Sequence, residues 1–176
     1  MSGEMLLSGR LWVLCDQDGL ISDIDTDMIY HNAHLAVTDI QKMGQFALGN
    51  LEGYEKFASQ ARPGDLILAG DNFGSGSSRQ HAVDCFKALG IGAIIARSFG
   101  AIYKRNAINS GFPIVEIPGI PNGLFKHHSS VQLDLERGRL SAGDISITGK
   151  PISKVAKEIY QAGGLFQYAE RMESRL

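Results

Sequence analysis

The chain has 176 residues, 44% hydrophobic and 20% charged, the make-up of one soluble domain with room for a proper core. Seventeen basic and nineteen acidic side chains leave a formal charge of −2, so neither nucleic acid nor an anionic membrane is expected as the main partner. Glycine is the outlier: 21 residues, nearly twice the usual ~7%, point to tight turns or close backbone approach.

Met1 to Ser8 has no basic region, long apolar run or small-residue cleavage site of an export signal. Leu6 to Leu14 is apolar and β-favouring around Arg10 and reads as a strand. Gly19 to Asp27 is turn-like, with Asp23, Asp25 and Asp27 alternating. Thr38 and Gln41 stand at capping-box spacing, and Ile40, Met43, Phe46 and Ala47 recur at helical spacing, which predicts a helix from Thr38 to about Leu48. A second short helix is expected over Tyr54–Gln60, then a turn at Arg62–Asp65. Leu66–Ala69, Ala93–Ala96 and Ile114–Ile117 are short apolar runs, separated by helical patterns over Arg79–Leu89 and Phe99–Asn109. That alternation predicts a parallel βαβαβ core with right-handed crossovers. Val131 to Glu136 alternates apolar and polar, Arg137–Arg139 turns, and Leu140 to Thr148 is expected to continue extended, giving additional antiparallel strands. Pro151 is placed near the first position of a helix running to Gln161; Gly163-Gly164 breaks it, and Leu165 to Glu173 is a terminal helix. The expected architecture is α/β, a single domain over residues 1–176 with C-terminal helices in about 151–174.

No apolar stretch approaches ~20 residues, so no membrane span is expected, and with no export signal the expected compartment is the cytoplasm. Cys15 and Cys85 both lie in apolar surroundings and are expected to be small buried side chains. Two cysteines cannot supply the thiolates of an iron–sulfur cluster, so no cofactor is expected on this chain.

The strongest chemical signal is Gly70 to Arg79, a Gly/Ser loop joining a buried strand to a helix. Gly74 and Gly76 are expected to let the backbone approach a ligand, and Ser77 or Ser78 to cap the helix. Arg79 in a first turn opposes the helix dipole, which makes sense if an anion sits there to be held by the guanidinium. A P-loop requires Lys, a dinucleotide loop requires Gly at position 79, and a hydrolase elbow requires a closing Gly. All three fail here, and a carboxylate-bearing metabolite fits better than a nucleotide. Asp25-Thr26-Asp27 lacks the Gly and terminal Glu of an EF-hand; capping and orienting neighbours is preferred over metal binding. His31 and His34 follow closely enough to share a site, His81 falls on the first turn of the Arg79 helix, and His127-His128 falls in a loop.

Gly70 to Ala82 resembles the swivel-domain signature of the aconitase superfamily. Asp25-Thr26-Asp27-Met28-Ile29 is similar to its upstream motif, and Ala96–Tyr103 and Asn106–Pro113 are similar to the blocks that follow. The matches run in order from about Gly9 to Ile117, and the length resembles that of a stand-alone small subunit of the isopropylmalate-dehydratase branch. The resemblance implies a β/β/α swivel domain and a hydro-lyase that isomerises a hydroxy-di- or tricarboxylate by dehydration and rehydration. It implies a large-subunit partner whose [4Fe–4S] cluster binds the substrate hydroxyl, and leaves open whether the isolated chain self-associates. By the family pattern Ser77 takes the substrate proton, Arg79 binds a carboxylate, Ser78 helps hold it, and Thr26 and Asp27 orient, Asp27 toward the large subunit. Ala33, His34 and Val37 fall where the family's substrate-selecting loop lies. Members often carry Arg-Tyr at Ala33-His34 and Glu at Gln80, a departure that leaves the exact acid open: isopropylmalate is expected, with homoaconitate and (di)methylmalate-type acids as alternatives, or a non-catalytic carboxylate-binding module on the same fold.

Overall fold

Strand β1 (Leu6–Val13) joins two kinds of sheet. On one edge it pairs in parallel with β4 (Leu66–Ala69), through Leu11 opposite Leu66 and Val13 opposite Leu68; on the other it pairs antiparallel with β7 (Ser130–Asp134). The structure is a computed structural model. It describes residues 3–174; Met1 and Ser2 of the stretch read for an export signal, and the last two residues of the expected 1–176 domain, lie outside. In chain order the remaining elements are β2 (Cys15–Asp16), β3 (Gly19–Leu20), α1 (Thr26–Ile29), α2 (Ile40–Met43), α3 (Phe57–Gln60), α4 (His81–Ala88), β5 (Ala93–Ala96), α5 (Ala101–Asn109), β6 (Ile114–Glu116), β8 (Arg139–Ala142), β9 (Ile145–Thr148), α6 (Lys154–Ala162) and α7 (Leu165–Glu173). The main sheet has seven strands in the order β6-β5-β4-β1-β7-β8-β9. Its β4-β5-β6 part is parallel and connected through α4 and α5, the expected βαβαβ core. The mixed α/β class is as anticipated.

The parallel strands lack polar alternation because both their faces are covered. Ile67, Ala69, Ile94 and Ala96 point into one apolar cluster with Trp12, Phe73, Phe86 and Tyr103. Leu66, Leu68, Ala93 and Ile95 point into the other, with Val131, Leu133, Leu140 and Tyr160. In β7 the alternation is visible, Val131 and Leu133 being buried and Ser130 and Gln132 exposed.

Several boundaries differ from expectation. Asp39, not Thr38, caps α2, its carboxylate accepting from Gln41 N–H at 3.1 Å, and after Met43 the chain tightens into a 3₁₀ turn over Gly44–Phe46 rather than continuing to Leu48. The second short helix keeps only Phe57–Gln60. Leu140–Thr148 folds back on itself: Gly143, at φ +55°, turns β8 into β9. Pro151 stays outside α6, which Ser153 caps through a 3.2 Å bond from Ala156 N–H. Cys85 is buried, but Cys15 is exposed, because β2 and β3 form a small separate hairpin.

Candidate active site

The loop after β4 and the loop leading to α1 are stitched together beyond the carboxyl ends of the parallel strands, where open α/β sheets carry ligands. Gly74 N–H donates to Ile24 O at 2.7 Å, and Thr26 N–H to Ser75 O at 2.9 Å. Thr26 is 3% exposed, and its Oγ1 donates to Ser77 O at 3.1 Å. The loop after β5 closes the other side: Phe73 N–H donates to Ser98 O at 3.0 Å and Gly100 N–H to Phe73 O at 2.9 Å. The Gly/Ser loop is thus held from both flanks through its backbone.

Gly74 does not face a ligand. It sits at φ +77°, and a Cβ there would lie 2.2 Å from Cγ of Tyr103. Its missing side chain lets the loop lie on a buried ring whose hydroxyl donates to Ala82 O at 3.1 Å. Gly76, at φ +91°, is exposed and leaves the loop open there. Ser77 and Ser78 are exposed and do not cap α4, which begins at His81 with Gln80 at its cap position and no side-chain cap. Arg79 therefore precedes the helix instead of opposing its first turn.

Arg79 is the best-organised group of the site. Its Nη1 donates to Asp27 Oδ1 at 2.7 Å and to Tyr30 O at 3.2 Å, and its side chain is only 16% exposed. Nε and Nη2 bond to no other described residue, so the edge of the guanidinium suited to a carboxylate is left available. The Arg79 bond holds the Asp27 carboxyl below its ordinary value, helped by Asn32 N–H at 2.9 Å. Asn50 Nδ2 also reaches Asp27, at 3.3 Å from Oδ2 and 3.2 Å from the carbonyl. Nothing in the local sequence marks Asn50 for this position. Within its own chain Asp27 orients Arg79. Asp25 caps α1 through Asp27 and Met28 N–H, and Asp23 accepts from Asn72 Nδ2 at 2.8 Å. The three acids thus serve separate sets of partners, and among the described residues no group of three His, Cys, Asp or Glu could hold a metal ion.

The segment 31–37 borders this pair through Tyr30. Tyr30 OH donates to His34 O at 3.1 Å, and the His34 ring stacks on Phe46 with centroids 3.9 Å apart. His31 Nδ1 accepts from Ala33 N–H at 3.1 Å, Ala33 is exposed and Val37 half-buried. His81 lies against the Tyr30 ring at 5.2 Å. His127 and His128 pack on Trp12, each ring edge-on to it. The cysteines do not fit a cluster held here: Cys15 is on the exposed hairpin, and Cys85 is fully buried in α4, where burial pushes its thiol up. No helix among the described residues is long and apolar enough to cross a membrane.

The chain belongs to the aconitase C-terminal domain family, whose model matches residues 22–118. Within it the chain is similar to the 3-isopropylmalate dehydratase small subunit of Saccharolobus islandicus (strain M.14.25 / Kamchatka #1), 39% identical over 151 residues that cover 86% of this chain and 90% of that one. The small subunit of the same name from Nautilia profundicola is 36% identical over 172 residues, 95% and 96% of the two chains. A crystal structure of 3-isopropylmalate dehydratase (LeuD) from Methanocaldococcus jannaschii superposes with a TM-score of 0.77 at 32% identity, covering 97% of both chains.

Proposed function

We propose that this chain is the small subunit of a hydro-lyase that isomerises a 2-hydroxy acid of the isopropylmalate type by removing and re-adding water. The observation that carries the reading is the free Nε–Nη2 edge of Arg79, whose Nη1 is held by Asp27 and Tyr30 at the end of a loop that also carries two exposed serines, Ser77 and Ser78. A planar guanidinium fixed on one side offers the other to a carboxylate in two parallel bonds. Ser77 is the base that takes the proton next to that carboxylate. A serine alone is a poor base, and the adjacent guanidinium favours its ionised form. Ser78 donates to the bound carboxylate, and Thr26 holds the Ser77 backbone in place. Ala33, His34 and Val37 face the variable substituent, and Gly76 leaves the mouth open.

The large subunit implied by the relatives' names completes the site, and its [4Fe–4S] cluster would supply Lewis acidity at the hydroxyl. The reading places the complex in the cytoplasm. The deciding experiment is anaerobic co-purification with a large subunit encoded by the same organism, followed by a panel of isopropylmalate, methylmalate-type acids and homoaconitate. Turnover of one of these by the complex, with no iron or sulfide on the chain purified alone, is expected. A complex that turns over none of them, or a chain that itself carries stoichiometric iron, would overturn the proposal.

A further inference from the structure

Helix α5 sends one polar side chain into the site that the roles above leave unused. Asn106 Nδ2 lies 3.4 Å from Ser78 Oγ. The distance is long for a finished hydrogen bond, but bonds of this kind often tighten only when substrate is bound. The placement itself is rigid. Gly100 starts α5 against the loop, where a Cβ would lie 2.8 Å from Gly74 O, and Tyr103, one turn before Asn106, is the ring beneath Gly74. Asn106 thus comes from the same helix that supports the loop carrying Ser78.

We infer that Asn106 is a positioning residue that turns the Ser78 hydroxyl so that it donates toward the substrate carboxylate. The inference rests on the carboxylate-binding role proposed for Ser78. A hydroxyl can donate one hydrogen bond and accept others. With an amide N–H directed at its oxygen, Ser78 Oγ takes the acceptor role toward the protein, and its own proton is left pointing away from Asn106. Only an acceptor can use that proton, and a carboxylate is the strongest acceptor a hydroxy acid offers. Asn106 thereby selects for an anionic group without touching it. With one lone pair of Ser78 Oγ turned to Asn106 and its proton turned away, the two adjacent serines are given different work: Ser77 takes a proton, Ser78 gives one.

The test is a double-mutant cycle in the complex with the large subunit, using the hydroxy acid that the panel identifies. Asn106→Ala is expected to lower kcat/KM about tenfold, the scale of one hydrogen bond, mainly through a higher KM. In the Ser78→Ala background the same change is expected to have less than about a twofold effect, because its only target is gone. Asn106→Asp is expected to be worse than Asn106→Ala, since a carboxylate there accepts the Ser78 proton and repels the substrate. Thermal melting and subunit pairing of each variant show that the fold is intact, and Asn106→Asp is the second reading if Asn106→Ala melts early. A full tenfold loss from Asn106→Ala in the Ser78→Ala background would overturn the inference while leaving the role of Ser78 standing. So would Asn106→Asp working better than Asn106→Ala, because the amide would then be accepting from Ser78. If Ser78→Ala alone has no effect, both the inference and the role of Ser78 fail.

Discussion

Thr26 Oγ1 donates to the carbonyl oxygen of Ser77 across 3.1 Å, a side-chain bond that ties α1 to the loop carrying the proposed base. Thr26 is almost wholly buried, so its hydroxyl has no water to fall back on. Replacing it by the isosteric valine leaves the shape and removes the bond. Thr26→Val is expected to cost about 1 kcal/mol of stability, roughly 2–4 °C in Tm for a chain of this size. It should also lower kcat of the reconstituted complex about tenfold with KM little changed, because Ser77 loses its anchor while the carboxylate site remains. Thr26→Ser keeps the donor and should restore most of kcat. A loss in Thr26→Ser with none in Thr26→Val would show that the methyl group, not the bond, matters.

Ser77 has an exposed hydroxyl with no bond to another described residue, as a group waiting for substrate should. Ser77→Ala is expected to keep the fold and subunit pairing and to lower turnover by at least ~10²-fold, the usual scale for an acid–base group. Near-normal turnover in the complex would move the role elsewhere, first to Ser78.

Arg79 and Asp27 make separable predictions. Arg79→Lys keeps the charge but loses the forked edge, so KM for the hydroxy acid should rise about tenfold or more. Asp27→Asn should cost less, since an amide oxygen can still accept from Nη1. The sign of the pH effect follows from the lowered Asp27 carboxyl. A depressed carboxylate contributes stability that is present above the ordinary value near 3.8 and lost as pH falls through its lower folded value. Melting curves between pH 5 and pH 3 should therefore show a shallower acid loss in Asp27→Asn than in the parent, and the same slope in both above pH 5. A difference confined to neutral pH would point to another group.

Much of this was legible in the residues. The apolar runs Leu66–Ala69 and Ala93–Ala96 are strands at those bounds, because a strand covered on both faces has no polar position to blur its edges. Leu165–Glu173 is likewise a helix at the expected bounds. What failed were the caps. Asp39 and Thr38 are both good capping residues, and sequence alone does not say which adopts the extended conformation a cap needs. The helix after the Gly/Ser loop starts at His81 because Ser77, Ser78 and Arg79 are held by long-range partners, Thr26, Asn106 and Asp27, which local propensity cannot see. Gly74 was noticed as unusual for the wrong reason: its neighbour is Tyr103, 29 positions along the chain. Asn50 carries no local signal at all, and Asn106 stands out only as the first residue of a block shared with the family; what each one contacts follows only from where α1 and the loop bring their partners.

His127 and His128 predict a second, milder pH dependence. Their rings lie 3.9 Å apart against Trp12, and His127 Nδ1 accepts from Val13 N–H at 3.1 Å. Burial lowers both imidazoles, with His128 adding to the effect on His127 and Arg10 to that on His128. Histidines held neutral in the fold take up protons more readily when unfolded. Their stability contribution is thus full above the ordinary value of 6.5 and declines as pH falls from there toward the lower folded value. His127→Asn keeps an acceptor for Val13 but cannot titrate. Its Tm should fall less than the parent's between pH 7.5 and pH 5.5. An identical slope would mean that neither the packing of His127 on Trp12 nor its bond to Val13 is linked to folding.

The last prediction concerns which acid is turned over. On the proposed function, Arg79 reads the carboxylate common to all candidates, being fixed on one side by Asp27 and Tyr30. Selection must then come from groups facing the variable substituent. His34 is stacked on Phe46 and tied through its carbonyl to Tyr30, so the 31–37 segment presents a braced surface rather than a floppy one. Ala33, exposed on that segment, brings neither charge nor bulk. A third carboxylate facing it in a closed site would be left unpaired, at a cost of several kcal/mol. An isopropyl or methyl group would meet the aromatic and aliphatic side chains at no such cost. The expected order of kcat/KM is isopropylmalate or methylmalate-type acids well above homoaconitate. Ala33→Arg should narrow that ratio by at least about tenfold by supplying the missing charge, as an unpaired carboxylate gains a partner. If the parent complex already prefers the tricarboxylate and Ala33→Arg leaves the ratio unchanged, the 31–37 segment does not choose the substrate, and the choice lies with the large subunit.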